Sequence, residues 1–225
     1  MKIAWWKYLA AALLLYVAIA GVLMPAPRRV ILNETIRNLY FHVPMWFAMT
    51  VVLTFSVGYA VAHLRTNDLR YDVWANEAAK TGTVFGVLGL LTGSLWARYT
   101  WGTWWTDDVR LNGAAISLLI YSAYFVLRAS LPDPQQRARI GAVYNIFAFA
   151  AVIPLLFVLP RKYDSLHPGA GGNPAFSNYD LDSLMRLVFY PAVIGWILVG
   201  AWMTQLGARL TFLTTRLNDA DDDTN

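Results

Sequence analysis

Six long apolar runs, parted by short polar stretches, set the pattern of the chain: Trp6–Met24, Tyr40–Leu64, Ala78–Trp96, Asn112–Leu131, Arg139–Pro160 and Leu184–Leu206. Each is close to the roughly 20 residues that carry an α-helix across hydrocarbon. In lipid only helices or closed barrels satisfy the backbone, and the period-2 alternation of a barrel strand is missing. The pattern predicts an all-α polytopic membrane protein of six transmembrane helices. Residues 1–217 read as a single domain, and 218–225 as a solvated, disordered acidic tail. Punctuation agrees with these bounds. Pro25 and Pro27 stop the first helix, Leu131-Pro-Asp-Pro134 turns between the fourth and fifth, and Pro160 closes the fifth. Pro44 is expected in the first turn of the second helix, where a missing N–H costs little. Asp180, Asp182 and Ser183 offer N-caps to the sixth. Pro154 and Pro191 fall inside the fifth and sixth helices and predict a kink or a local irregularity.

Composition sharpens the picture at a few points. With 57% hydrophobic and only 14% charged residues, the chain is excluded from ordinary soluble domains. The first apolar run ends without a small-x-small cleavage pattern, so it reads as a membrane helix rather than a removed signal. Having no cysteine, the chain can form no disulfide, thiolate metal site or covalent haem attachment of its own. No Walker loop, nucleotide-binding glycine motif or internal repeat is present, and a net charge of +4 gives nucleic-acid binding no support. With the N-terminus on the cytoplasmic side, ten of the 18 Lys and Arg residues fall inside and eight outside. The outer group includes Arg28, Arg29, Arg37, Arg98 and Arg110, and an anionic ligand on that side would account for it.

Between the third and fourth helices lies Trp96-Ala-Arg-Tyr-Thr-Trp-Gly-Thr-Trp-Trp-Thr-Asp-Asp-Val-Arg110. Interfacial belts need one or two aromatic rings per helix end. Four tryptophans interleaved with charges instead suit a large, planar, anionic ligand. Counting crossings places His42, this loop and His167 on one face of the membrane and His63 on the other, whichever side is outer. His63 reads as an interfacial hydrogen-bonding residue. Two imidazoles can hold zinc or copper if Asp107 or Asp108 adds a third ligand. A haem needs no third, because its porphyrin fills the four equatorial positions. Should the residues after Trp101 form a short helix, Trp101, Trp104 and Trp105 share one face for the porphyrin. Arg37, Arg98, Arg110 and the Arg28-Arg29 pair are candidates for its propionates, with lipid headgroups as the commoner role of each. Asp107 and Asp108 would repel propionates, and capping the fourth helix or pairing with Arg110 suits them better. His42 begins a helix, whereas His167 precedes Pro168-Gly-Ala-Gly-Gly-Asn-Pro174. A fixed ligand opposite a releasable one fits a protein that hands haem on.

Three ordered motifs carry a family resemblance over nearly the whole chain. Trp101-Gly-Thr-Trp-Trp-Thr-Asp-Asp-Val-Arg-Leu111 resembles the WWD signature, WGxWWxWDxRL, of the haem-handling proteins of bacterial cytochrome c maturation. Tyr40-Phe-His-Val-Pro-Met-Trp46 resembles that family's His-Val-Pro segment, and Leu166-His167-Pro168 matches its second histidine. Six helices resemble the smallest branch, CcmC. Asp107 departs from the pattern, standing where the family has tryptophan. The resemblance implies haem b, held transiently at the periplasmic face of the bacterial inner membrane, with His42 and His167 as axial ligands to the iron. It implies a platform of Trp101, Gly102, Trp104, Trp105 and Asp108. It also implies a CcmE-type haem chaperone as recipient, with a CcmD-type small membrane protein and a CcmA–CcmB ABC transporter as partners beside the membrane lipid. Such a chain is a binding and transfer platform, not an enzyme. The alternative is a haem-translocating permease subunit, against which the few polar residues inside the helices (Asn145, Ser117, Thr54) argue.

Overall fold

The computed structural model describes residues 4–27, 32–167 and 181–222. Six of its helices are long and apolar enough to cross a membrane. Helix α1 is Trp5–Leu23; a 3-10 turn, Asn33–Asn38, leads into α2, Leu39–Thr66; α3 is Leu69–Trp101 and α4 Val109–Ala129. Helix α5, Pro134–Ile153, passes through a π-helical turn, Pro154–Val158, into the short α6, Leu159–Lys162, and α7 is Ser183–Asp222. All of the described structure is helix or loop.

Local chemistry sets the helix ends. Asn67 closes α2 at φ +55°, donating its N–H to the His63 carbonyl, and Asp68 then caps α3 by accepting from the Arg70 N–H. Asp133 caps α5 with Pro134 at its first turn, and Asp182 accepts from the Met185 N–H at the start of α7. Asp180 lies outside the described residues. His63, 1% exposed, bonds the Asp68 carbonyl oxygen through Nδ1 at 3.0 Å, a hydrogen-bonding role at the end of α2 remote from His42.

Several bounds differ from those the apolar runs predict. The 3-10 turn and the first turn of α2 begin ahead of the apolar run, so Pro44 sits inside α2 instead of in its first turn. Helix α3 starts at Leu69, nine residues before the apolar run, because its polar first turns still bury Asp72, Ala75 and Glu77 on one side. Pro154 opens the π turn, as a proline that cannot donate to the preceding turn encourages, while α7 continues through Pro191. Helix α7 also runs to Asp222, so residues 218–222 extend a helix where a disordered tail is expected.

The bundle is held by close packing and a few buried polar links. A stripe on α3, Ala75, Ala79, Gly82, Gly86, Gly89 and Gly93, faces α2. Small residues let two helix backbones approach in lipid, where van der Waals contact replaces the hydrophobic drive. Leu53 lies on Gly82, Met49 on Gly86, Trp46 on Gly89 and His42 on Gly93. The two helices are therefore antiparallel, in a register that carries His42 to the end of α3 preceding the tryptophan loop. Within the bundle Asn145, fully buried, donates to Ser56 Oγ at 2.7 Å and accepts from the Tyr121 hydroxyl at 3.2 Å, while Ser56 donates to the Ala75 carbonyl. That chain ties α2, α3, α4 and α5 together. Ser117 and Thr54 bond carbonyls of their own helices. Leu15, Ile19, Leu119, Val126, Val143 and Phe147 point outward, as lipid-facing side chains of a multi-pass membrane protein do.

Candidate functional site

At the His42 end of the bundle, α2, α3, α4, the π turn and α6 surround a cavity of about 1180 Å³, counting the part open to the outside. Its wall is mostly apolar, with Trp46, Phe47, Trp96, Trp105 and Phe157 among the lining side chains, and polar character comes from His42, His167, Arg110 and Arg161. Two histidines 125 residues apart in the chain line one cavity.

His42 is 8% exposed and held on three sides. Trp46 and Trp96 meet its ring edge-on, with centroids 6.3 and 5.9 Å away. Nδ1 lies 3.1 Å from Thr92 Oγ1. The Thr92 hydroxyl already donates to the Leu88 carbonyl at 2.8 Å, so its lone pair accepts from Nδ1–H and the imidazole keeps Nε2 as a free donor atom. Gly93 makes room for the ring: a Cβ there would stand 2.6 Å from His42 Cε1.

His167 is placed by Asp108, the N-cap of α4. Asp108 is 3% exposed, and Oδ1 accepts from the Arg110 N–H at 2.8 Å, fixing the start of the helix. Its Oδ2 accepts from both Ser165 Oγ and the Leu166 N–H, each at 2.8 Å, and Oδ1 lies 3.1 Å from His167 Nδ1. Burial pushes the Asp108 carboxyl up. Hydrogen bonds from His167 and from the N–H groups of Arg110 and Leu166 outweigh it, holding the carboxyl well below the usual carboxylate range. Trp101, the last residue of α3, sets its ring edge against His167 with centroids 5.1 Å apart. Nε2 of His167, like that of His42, is the ring nitrogen left for a ligand.

The tryptophan loop differs from a short helix with one aromatic face. The chain leaves α3 at Gly102, φ +79°, a conformation that side chains with a Cβ rarely adopt, and residues 102–108 form an irregular loop. Trp101 consequently points at His167, Trp105 lines the cavity, and Trp104 is 57% exposed and away from it. Trp105 donates from Nε1 to Asn112 Oδ1 at 3.3 Å, and Asn112 in turn donates to Asp107 at 2.7 Å. Asp107 thus braces the loop against α4.

The basic candidates part in the same way. Arg110 lines the cavity. Arg37 does not: it donates to the Gly21 and Met24 carbonyls at the end of α1 and pairs with Glu34 at 2.7 Å. Arg98 is exposed and bonds the Gly102 carbonyl. Arg28 and Arg29 lie outside the described residues. Sequence reasoning missed Arg161, Thr92 and Gly93 as parts of the site. The signal for the last was present, since Gly82-x-x-x-Gly86 and Gly89-x-x-x-Gly93 are two small-residue helix-packing motifs in succession.

Comparison with known proteins follows the same lines. The family model described as CcmC, heme exporter protein C, matches residues 1–221. Over 142 residues the chain is 35% identical to heme exporter protein C of Bradyrhizobium diazoefficiens, covering 61% of this chain and 52% of that one. Against the protein of that name from Escherichia coli K12 it is 25% identical over 179 residues, 79% and 70% of the two chains. For Haemophilus influenzae the figures are 25% over 205 residues, 89% and 80%. In the first of these matches the chain spans about half its relative's length. A family match from end to end, on six spans and this cavity, makes the chain a member of the CcmC, heme exporter protein C, family.

Proposed function

We propose that the protein binds haem b in the cavity between α2, α3 and α4, with His42 and His167 as axial ligands, and yields it to a periplasmic haem chaperone of the CcmE type. One observation carries the reading: two imidazoles from distant segments share an aromatic-walled cavity, each with Nδ1 held by a partner and Nε2 left over. Metal-bound histidines characteristically have this arrangement of the second ring nitrogen. Among the described residues no group of three His, Asp or Glu side chains gathers as a bare metal ion would require. Trp46, Trp96 and Trp105 supply apolar wall for the macrocycle, and Arg110 and Arg161 supply cations for its propionates. Haem is cargo here, bound and released by a membrane platform at the face of the bacterial inner membrane turned to the periplasm. A CcmD-type small protein and a CcmA–CcmB transporter complete the assembly on this reading.

The test is an absorption spectrum. Protein purified in detergent from haem-replete cells is expected to show the Soret band of six-coordinate low-spin haem. A colourless preparation made with its partners present overturns the proposal. Gly93→Ala adds a second check on the cavity. The new methyl must displace the His42 ring, so haem content is expected to fall about tenfold, at the lower end of the loss that follows a disturbed ligand orientation. Unchanged helical circular dichroism with unchanged haem content would mean that His42 is not where the ligand binds.

A further inference from the structure

We infer that Asp108 is a positioning residue for the iron ligand His167, and that its negative charge, passed through the imidazole, favours the ferric state of the bound haem. The inference rests on the haem-binding reading above.

The geometry separates the two histidines. His42 donates Nδ1–H to a neutral hydroxyl, Thr92 Oγ1 at 3.1 Å. His167 donates to a carboxylate, Asp108 Oδ1 at 3.1 Å. A carboxylate partner makes an imidazole the more basic of two otherwise equal ligands and fixes its tautomer and ring orientation. Greater electron donation stabilises iron more in its higher charge state. The carboxylate is also buried, 3% exposed, so little water screens it. Asp108 reaches the ligand segment through two further bonds, from Ser165 Oγ and the Leu166 N–H. One side chain therefore starts α4, anchors residues 165–167 and holds His167 at the cavity wall through Nδ1. The acidic residue of the tryptophan loop then needs no contact with haem, where its charge would oppose the propionates.

The inference is tested by redox titration of the haem-loaded protein, followed at the Soret band. Asparagine is an N-cap as good as aspartate, so Asp108→Asn keeps α4 while removing the charge. The midpoint potential of Asp108→Asn is expected to move upward. Asp108→Glu, which keeps the charge, is expected to stay near the wild-type potential, as is Ser165→Ala. Thr92→Val, which removes the neutral partner of His42, is expected to shift the potential less than Asp108→Asn. An unchanged potential in Asp108→Asn with a six-coordinate spectrum overturns the inference and leaves the haem reading standing. Equal shifts in the asparagine and glutamate variants overturn it as well, because geometry and not charge would then be responsible. A wild type that takes up no haem overturns the reading beneath it instead.

Discussion

His42→Ala and His167→Ala are each expected to convert a six-coordinate low-spin spectrum to a five-coordinate one, and the double variant to purify without a Soret band. Disturbing a partner of a metal-bound histidine costs about 10–100-fold in affinity, and removal of the ligand itself is expected to cost more. The two single variants should differ in kind. His42 is wedged between Trp46, Trp96 and Gly93 on a buried helix face, so alanine leaves a ring-shaped gap with rigid walls. Added imidazole is expected to enter that gap and restore the spectrum. His167 is fastened through Asp108, and its removal also leaves that carboxylate without one of its donors. Imidazole rescue should accordingly be weaker at position 167. Haem content per protein, measured by pyridine haemochrome before and after imidazole, reads both effects. Full haem content in the double variant would end the bis-histidine assignment.

The loop histidine also shows where sequence reasoning stops. A glycine-rich stretch after His167 suggests a loosely held ligand, and the tie that opposes this lies 59 residues away at Asp108. Only the fold brings the N-cap of α4 to residues 165–167. The six spans were legible because lipid demands long apolar helices, and hydropathy reports that demand directly. Helix ends were less so. Hydropathy marks the hydrocarbon segment and not the helix, so α3 begins ahead of its apolar run with Asp72, Ala75 and Glu77 buried on one side, and α7 continues past its own run with residues 213–218 exposed. Counting crossings placed His42, the tryptophan loop and His167 at one end, and the cavity contains both histidines and Trp105. The arrangement within the loop was not legible. The αL turn at Gly102 breaks the helical spacing on which a common face for Trp101, Trp104 and Trp105 depended. Arg37 illustrates a further limit: by charge it is a propionate partner, but the open carbonyls of Gly21 and Met24 at the end of α1 engage it first.

Arg128→Met is expected to be the most destabilising single change away from the cavity. Arg128, in the last turn of α4, forks onto Asp72 in the first turn of α3, Nη1 to Oδ1 at 2.7 Å and Nη2 to Oδ2 at 2.8 Å, and both residues are 8% exposed. Tyr124 lies over the guanidinium at 5.6 Å, and Gly141 of α5 leaves space that any side chain there would take from it. The pair thus joins three helices at the end of the bundle opposite His42. Removing one partner of a buried ion pair strands the other charge and costs about 3–5 kcal/mol. For a chain of this size that corresponds to a fall in Tm of about 10 °C or more. Replacing both partners by apolar side chains of similar volume is often neutral or stabilising. Asp72→Leu combined with Arg128→Met is therefore expected to regain most of the loss. Thermal unfolding in detergent, run on the two single variants and the double, measures the coupling directly. The surviving folded fraction of each should keep the wild-type haem spectrum, since neither residue lines the cavity. Additive losses in the double variant would show that the two charges do not stabilise the bundle as a pair.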